Sequence, residues 1–296
     1  MRDAPVGVLG VPSSAAAHGP GLERLPEALR AAGLVPALQG CGLTVVDHGS
    51  TTLARWRPDA PTRTNPHDVL RVAGVLREAR AALEPLLAAG HWPVVVGGEC
   101  TVTIAVLAAL ADAGRDVGLV YVDGGQDLQL PPDHPDEPIA DSMGVAHLLD
   151  LPGTHAELAG IGPRRPLLAA DRLCFVGYSD DEEDVHGFVP SERIPAADVL
   201  DDPVAAARHA AAAVDGDFVV HLDVDVLDDC ALPLADVPQH GRGLDLPALG
   251  AVLTELVQDP ACAGLVVVEA NPDRDDEQGT HLRALVELLR VALTPR

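Results

Sequence analysis

Acidic side chains occur at the ends of four apolar segments of the sequence. These segments run into the motifs Gly97-Gly98-Glu99-Cys100, Asp123-Gly124-Gly125-Gln126-Asp127, Asp223-Val224-Asp225 and Glu269-Ala270-Asn271-Pro272. Carboxylates that share one site repel each other and have raised pKa values unless cations neutralise them. Carboxylate oxygens suit Mn²⁺ or Mg²⁺. The motifs therefore predict a metal site, and the alternative is that they are solvated loop residues in a chain rich in aspartate.

One of these segments also contains a histidine. Because side chains alternate along a strand, a strand over residues 218–225 would place His221, Asp223 and Asp225 on one face. His221 is therefore a candidate metal ligand. The alternative is a core histidine that has a hydrogen-bond partner.

The elements that must position these residues alternate along the chain. Apolar, β-branched runs predict strands at residues 6–10, 43–47, 93–96, 117–122, 173–177, 218–225 and 265–269. Apolar residues at three-to-four spacing predict helices at residues 67–89, 101–113, 195–214, 246–258 and 278–293. Apolar strands separated by helices indicate an α/β fold with a parallel sheet covered on both faces. In such sheets ligands bind beyond the carboxyl ends of the strands, where the four motifs lie.

The boundaries of the elements have their own signals. Asp68 and Thr101 stand at predicted helix N-caps, and Gly90 and Gly114 stand where helices should stop. Residues 131–138 and 180–184 are rich in proline or acid and predict surface loops. No composition break resembles a linker, so residues 1–296 are predicted to form one domain.

Composition excludes several classes of partner. Among 296 residues, 20 basic and 45 acidic side chains give a formal net charge of −25, and no lysine occurs. Such a chain, with 2% aromatic residues, does not suit nucleic acid or an anionic membrane. Five cysteines without a CxxC pair indicate reduced thiols. With no signal-peptide pattern and no apolar stretch of about 18 residues, we expect a cytoplasmic protein.

The order of the motifs resembles that of the ureohydrolase family, which includes arginase, agmatinase and formiminoglutamase. The resemblance covers nearly the whole chain. It also includes Gly19-Pro20-Gly21 near the start and Val46-Asp47-His48-Gly49, which is similar to the family's second-strand D-x-G. It implies a three-layer arginase-like fold, with a central parallel sheet flanked by helices on both faces, and a two-manganese site. It also implies hydrolysis of a C–N bond by a metal-bridging hydroxide, and a homo-oligomer, either a trimer or a hexamer.

Three histidines of the family pattern are replaced in this chain. The family's G-G-D-H ends here in Cys100, and its D-A-H-x-D has Gly125 in place of histidine. When the family's mobile loop is aligned on Met143, Asp141 stands where the proton-shuttling histidine would be.

The resemblance implies a ligand set residue by residue. One metal would be bound by Cys100, Asp123, Asp127 and Asp223, and the other by Asp123, Asp223 and Asp225. The family implies manganese, whereas the thiolate of Cys100 shifts the preference toward Zn²⁺ or Fe²⁺. We therefore expect one retained ion and one weakened or empty site, with His221 as a candidate to fill the space left at Gly125.

Substrate contacts follow from the same resemblance. Gln129 stands where the family has an asparagine beside the substrate, and Asp180 and Glu182 stand where acidic residues could meet a substrate amine. The alternative for these two is a solvated acidic loop. Glu269 would pair with a guanidinium group, and its alternative is a structural ion pair.

Three functions remain open on the sequence. The first is a metal-dependent hydrolase of a small cationic guanidino or amidino compound, with Asp141 as a proton acid or base. The second is a catalytically inactive ureohydrolase-like protein with a binding or regulatory role. The third is nucleophilic chemistry by Cys100 at a helix N-terminus, although the neighbouring aspartates should raise its pKa.

Overall fold

One sheet of eight parallel strands runs through the described part of the chain. The computed structural model describes residues 4–58, 69–131, 139–179 and 189–295. The strands are β1 (Val6–Val11), β2 (Val45–Ser50), β3 (Trp92–Gly97), β4 (Gly118–Val122), β5 (Leu173–Val176), β6 (Glu192–Ile194), β7 (Phe218–Asp223) and β8 (Cys262–Val268). Their order across the sheet is β2-β1-β3-β8-β7-β4-β5-β6, and every pairing is parallel.

Helices cover both faces of this sheet. They are α1 (Leu25–Ala31), α2 (Leu34–Gly40), α3 (Val69–Ala88), α4 (Val102–Asp112), α5 (Gly144–Leu148), α6 (Ala156–Ala159), α7 (Ala196–Asp201), α8 (Pro203–Ala213), α9 (Leu246–Gln258) and α10 (Thr280–Leu293). One apolar core joins the sheet to α1, α2 and α7–α10, and a second joins the opposite face to α3–α6. The predicted three-layer α/β fold is confirmed.

The strand order brings the four acidic motifs together. β3, β8, β7 and β4 are consecutive neighbours at the centre of the sheet, and each is followed or ended by one of the motifs. The register aligns His221 with Tyr121 on β4 and Asp223 with Val268 on β8. The four motifs therefore meet at one edge, as expected for the carboxyl ends of parallel strands.

Two predicted elements are wrong in extent. The helix predicted over residues 195–214 is broken at Asp202 into α7 and α8. Pro203 disfavours the helical conformation in the residue before it, and the Asp202 carboxylate instead accepts a hydrogen bond from the N–H of Ala205 at 3.0 Å. The strand predicted through Asp225 ends at Asp223, because Val224–Val226 form a single 3₁₀ turn. Asp225 therefore does not continue the alternation of the strand.

Other boundaries are closer to the prediction. Gly90 and Gly114 follow α3 and α4 and have positive φ angles of 73° and 77°. Thr101 directly precedes α4, but its hydroxyl donates to Glu99 Oε1 at 3.3 Å and does not cap the helix. The helices α1, α2, α5 and α6 and the strand β6 were not predicted. Asp68 and, apart from Pro131, both predicted loops lie outside the described residues.

A buried histidine anchors the segment that carries Asp141. In α5 the His147 Nδ1–H donates to the carbonyl of Met143 at 2.7 Å, and Nε2 accepts the N–H of His155 at 3.2 Å. Both ring nitrogens are therefore satisfied only when the ring is neutral. Burial accordingly lowers the pKa of His147 from its ordinary 6.5 to about 4.

This histidine should make the protein sensitive to acid. Between pH 6.5 and 4 the unfolded chain binds a proton at His147 that the folded chain does not, so stability falls as the pH drops. We expect His147→Gln to remove about 3 kcal/mol of this pH dependence, as 1.36 kcal/mol per pKa unit implies. The measurement is the free energy of unfolding in urea at a series of pH values. The exposed His240 provides the control, since His240→Gln should leave the slope unchanged. If the free energy of unfolding of His147→Gln depended on pH as strongly as that of the wild type, His147 would not be the source of the acid sensitivity.

Candidate metal centre

The four motifs form the floor of a cavity of about 370 Å³. Its walls include the 139–142 segment and residues near Asp236. Eight of the predicted site residues line it, and seven of them carry an acidic group or a thiol: Cys100, Asp123, Asp127, Asp141, Asp223, Asp225 and Glu269. Gln129 lines it as well, whereas Asp180 and Glu182 lie outside the described residues.

Backbone N–H groups fix the orientation of the two central carboxylates. Asp123 Oδ1 accepts the N–H of Gly125, and Asp223 Oδ1 accepts the N–H of Asp225, both at 2.6 Å. Each aspartate therefore has one oxygen committed to its own turn and one left for the site. The free oxygen of Asp223 accepts a hydrogen bond from the Cys100 thiol at 2.9 Å, and the free oxygen of Asp123 has no hydrogen-bond partner among the described residues.

His221 lies close to this pair of aspartates. Its ring is fully buried and stacks on Tyr121 with the ring centres 4.0 Å apart. Nδ1 is 2.6 Å from the hydroxyl of Thr103, and Nε2 is 3.7 Å from Asp123 Oδ2, too far for a hydrogen bond. Burial lowers the pKa of His221, so the neutral ring is favoured.

Four buried groups of different chemistry therefore converge. One atom from each of Cys100, Asp123, His221 and Asp223 lies within 4.8 Å of the other three. The sequence correctly placed His221 on the side of the strand that carries Asp223. Its proximity to Cys100 arises because β3 and β7 both adjoin β8.

Asp127 and Asp225 lie at the same floor but are held by other groups. Asp127 accepts a hydrogen bond from the Tyr121 hydroxyl at 2.5 Å, and Asp225 accepts one from the N–H of Gly124 at 2.9 Å. Gly125 supplies no side chain. A Cβ atom there would lie 3.5 Å from Asp123 Oδ1, so the space for a side chain exists but is not used.

Asp141 and Glu269 form a second acidic pair on the cavity wall. Asp141 accepts the N–H of Cys100 at 2.7 Å and shares a hydrogen bond with the Glu269 carboxyl group. Glu269 has a left-handed φ of 63°, and its N–H donates to the Gly98 carbonyl at 2.9 Å. Glu269 Oε1 is buried and has no hydrogen-bond partner among the described residues.

The described lining of the cavity contains many carboxyl groups and no arginine or lysine to neutralise them. Burial above all, together with the neighbouring carboxylates, raises the pKa values of five carboxyl groups above their ordinary range: Asp127, Asp141, Asp223, Asp225 and Glu269. No arginine lines the described part of the cavity, and the chain has no lysine. The donor set, with Asp123 Oδ2 unpartnered, therefore fits one divalent cation, whereas a second ion would lack a side-chain ligand at Gly125.

The same surroundings affect the Cys100 thiol. Burial and the carboxylates of Asp223 and Asp127 raise its pKa well above the ordinary value. A buried thiol of raised pKa is a poor nucleophile, because attack requires the thiolate. Because a bound metal deprotonates a coordinating thiol, the role of metal ligand is favoured for Cys100 over that of a metal-free nucleophile.

Some residues of the site were not predicted. His18 is exposed at the mouth of the cavity, and Gln126, Asp236 and Gln239 also line it. The only signal for His18 was its position next to Gly19-Pro20-Gly21. Glu99, in contrast, belongs to a predicted motif but does not line the cavity.

The structural role of Glu99 explains this difference. It is fully buried and accepts hydrogen bonds from the Ser13 hydroxyl and the Ala16 N–H, both at 2.9 Å. Burial raises its pKa to about 8. Glu99 therefore holds the 13–16 loop against the site.

Comparison with known proteins gives a consistent result. The model of the arginase family matches residues 4–294. The arginase of Brevibacillus brevis is 25% identical over 300 aligned positions, which cover 92% of each chain. Among solved structures, the arginase of Bacillus caldovelox aligns with a TM-score of 0.84 at 21% identity over 99% of both chains. A formiminoglutamase of Trypanosoma cruzi with Mn²⁺ aligns with a TM-score of 0.76 at 18% identity, over 99% of this chain and 93% of the other. Both structural matches show the shared fold.

Removing one carboxylate charge should stabilise the metal-free protein. In Asp225→Asn the amide oxygen can still accept the N–H of Gly124, while the repulsion from Asp123 disappears. We expect the metal-free variant to gain about 1 kcal/mol in the free energy of unfolding, the order of the repulsion between two unit charges roughly 4 Å apart in water. In a chain of this size the melting temperature would rise by about 2 °C.

The same variant should respond less to metal. Thermal unfolding with and without added Mn²⁺ or Zn²⁺ measures both effects, and the exposed Asp171→Asn is the control of equal charge. A metal-free Asp225→Asn protein that melts below the wild type would show that repulsion at this floor is not destabilising.

Proposed function

The chain belongs to the arginase family, and on that basis we propose that it is a divergent metal-dependent hydrolase that cleaves a C–N bond of a small guanidino or amidino compound. Members of this family are metal-dependent hydrolases of guanidino C–N bonds. The observation that carries the proposal is the acidic cavity floor. It keeps the family's carboxylates together and leaves Asp123 Oδ2 and Glu269 Oε1 without hydrogen-bond partners among the described residues.

The metal would be held at the centre of that floor. Asp123 and Asp223 would be its main carboxylate ligands, and the Cys100 sulfur lies beside them. A divalent metal bound there lowers the pKa of water and so supplies hydroxide at neutral pH. The family resemblance implies manganese, and the trypanosomal formiminoglutamase of the same fold was solved with Mn²⁺.

The charge of the cavity favours a cationic substrate. A planar guanidinium or amidinium group can receive two parallel hydrogen bonds from a carboxylate. Glu269 offers an unpartnered oxygen to such a group, and the amide of Gln129 lines the same cavity. Asp180 and Glu182 are proposed contacts for a substrate amine on the sequence resemblance alone.

Asp141 is the proposed acid or base. Its carboxyl group lines the cavity, is held by the N–H of Cys100 and shares a hydrogen bond with Glu269. A carboxyl pair that shares a proton can accept one from water and give one to the departing amine. His18 at the mouth of the cavity is the nearest candidate for passing that proton to solvent.

The cellular setting follows from the family resemblance and composition. We propose a cytoplasmic homo-oligomer, a trimer or a hexamer, with neither nucleic acid nor membrane as partner. Within the described residues, no helix is both long enough and apolar enough to cross a bilayer.

A second candidate is a protein of this fold that binds a small cation without turnover. The observation in its favour is the unused space at Gly125, together with an aspartate at position 141 instead of an imidazole. Such a protein would keep the acidic cavity for recognition and would release no product.

Metal content and product release together test the proposal. The purified protein is analysed for metal by inductively coupled plasma mass spectrometry, as isolated and after incubation with Mn²⁺. Asp223→Ala is treated in parallel. We expect one to two equivalents of metal in the wild type and a loss of metal in the variant. Release of urea or ammonia is then measured over guanidino and formimino compounds. Metal without turnover on any of them would favour the binding protein, and no metal in either protein would exclude the hydrolase.

Asp141→Asn separates proton transfer from metal binding. The amide oxygen can still accept the N–H of Cys100, so the loop should stay in place. We expect kcat to fall by about 10²- to 10⁴-fold, the usual contribution of general acid–base catalysis, with metal content unchanged. Steady-state kinetics on the best substrate gives the ratio.

The exposed Asp198→Asn on α7 serves as the matched control and should retain wild-type kcat. If Asp141→Asn retained wild-type kcat at full metal content, Asp141 would not be the acid or base.

A further inference from the structure

Two buried polar atoms face each other beneath the cavity floor without a hydrogen bond. His221 Nε2 and Asp123 Oδ2 have no partner among the described residues and lie 3.7 Å apart. Leaving a buried polar atom without a partner is unfavourable, so two such atoms at one point indicate a missing ligand. The groups next to them are the Cys100 thiol and the free oxygen of Asp223.

We infer that this chain binds a single zinc-class ion through Cys100, Asp123, His221 and Asp223, with the imidazole of His221 in the place that the family resemblance assigns to Asp127. The inference specifies the metal of the proposed function and does not depend on turnover.

The surroundings of His221 fix the ring for this role. Nδ1 is 2.6 Å from the Thr103 hydroxyl, and the ring is stacked against Tyr121 with an angle of 9° between the planes. When the Nδ1–H donates to a neighbouring oxygen, the lone pair of Nε2 is free to bind a metal. An ordinary core histidine would have partners at both nitrogens, as His147 does.

Asp127 is in turn occupied by another group. The Tyr121 hydroxyl donates to Asp127 Oδ2 at 2.5 Å, so the tyrosine that stacks on His221 also holds the carboxylate that His221 would replace. Asp127 is not among the four groups that converge within 4.8 Å. Because Tyr121 stacks on His221 and also occupies an oxygen of Asp127, its position favours His221 over Asp127 as the metal ligand.

The chemistry of the four groups selects the metal. A thiolate and an imidazole with two carboxylates form the mixed donor set that Zn²⁺ binds tetrahedrally, and it is too soft for Mn²⁺. On binding, the thiol proton leaves to solvent and the sulfur–metal bond takes its place beside Asp223. The net charge of the four ligands and the ion is then −1, instead of −2 for the two carboxylates alone.

X-ray absorption spectroscopy of the zinc-loaded protein tests the ligand set directly. We expect one sulfur scatterer at roughly 2.3 Å and one imidazole. The Co²⁺-loaded protein should show a thiolate-to-cobalt charge-transfer band. Zn²⁺ should displace Mn²⁺ when the two compete at equal concentration. A spectrum with only oxygen and nitrogen scatterers would overturn the inference.

Three variants distinguish the inferred set from the set that the family resemblance implies. We expect His221→Ala to lower Zn²⁺ affinity by roughly 100-fold or more, and Thr103→Val by about 10- to 100-fold through loss of ring orientation. Asp127→Asn should change affinity by less than about tenfold, since it leaves all four ligands and their support in place. Affinities are measured by competition with a chromophoric chelator, and circular dichroism checks the fold.

The inference would be overturned if Asp127→Asn lowered the Zn²⁺ affinity strongly and Thr103→Val left it unchanged. If His221→Ala does not fold, the Zn²⁺ affinity of Thr103→Val decides between the two ligand sets. Zinc with sulfur and imidazole ligands in a protein without hydrolytic activity would sustain this inference while the proposed function fails. Two bound manganese ions with turnover would do the reverse.

Discussion

The concentration of negative charge at the carboxyl ends of four central strands is the constraint on which the rest of the structure depends. Asp123 and Asp223 are almost fully buried, and Asp127, Asp225 and Glu269 lie around the same cavity. Buried carboxylates are costly unless hydrogen bonds, protonation or a cation compensate them, and no arginine lines the described part of this cavity. The strand order that makes β3, β8, β7 and β4 neighbours therefore concentrates acidic groups at one place, where a cation would offset their repulsion.

The chain reduces this cost with its own backbone. Backbone N–H groups bind one oxygen of Asp123, Asp223 and Asp225, which orients each carboxylate and offsets part of its lost hydration. Two acids of the site, Asp127 and Glu269, have left-handed φ angles of 49° and 63°. Such conformations cost about 1 kcal/mol or more in residues other than glycine and are concentrated at functional sites. The strain is one more sign that these side chains are directed to the cavity for a reason other than folding.

The parts of the fold that follow from periodicity and strand ends were predictable, and the parts that depend on packing were not. Continuous apolar strands led to the parallel sheet and to the correct meeting point of the acidic motifs. β6 was missed because Glu192–Ile194 is only three residues long, and α1 because Leu25–Ala31 is short and begins with Pro26 at its second position. The contacts of His221 with Thr103 and Tyr121 depend on how α4 and β4 pack against β7. They have no signature in the sequence beyond alternation.

Three histidines of the family pattern are replaced in this chain, but the packing places another imidazole near the same carboxylates. Read along the chain, Cys100, Gly125 and Asp141 each remove an imidazole from the family pattern. In three dimensions the imidazole of His221 and the sulfur of Cys100 both lie close to the same carboxylates. Asp123 and Asp223 have a second role, because one oxygen of each accepts a backbone N–H of its own turn while the other oxygen is left for the site. Asp123 and Asp223 therefore shape the backbone as well as the site, which distinguishes them from Cys100, whose thiol contributes only a contact to Asp223.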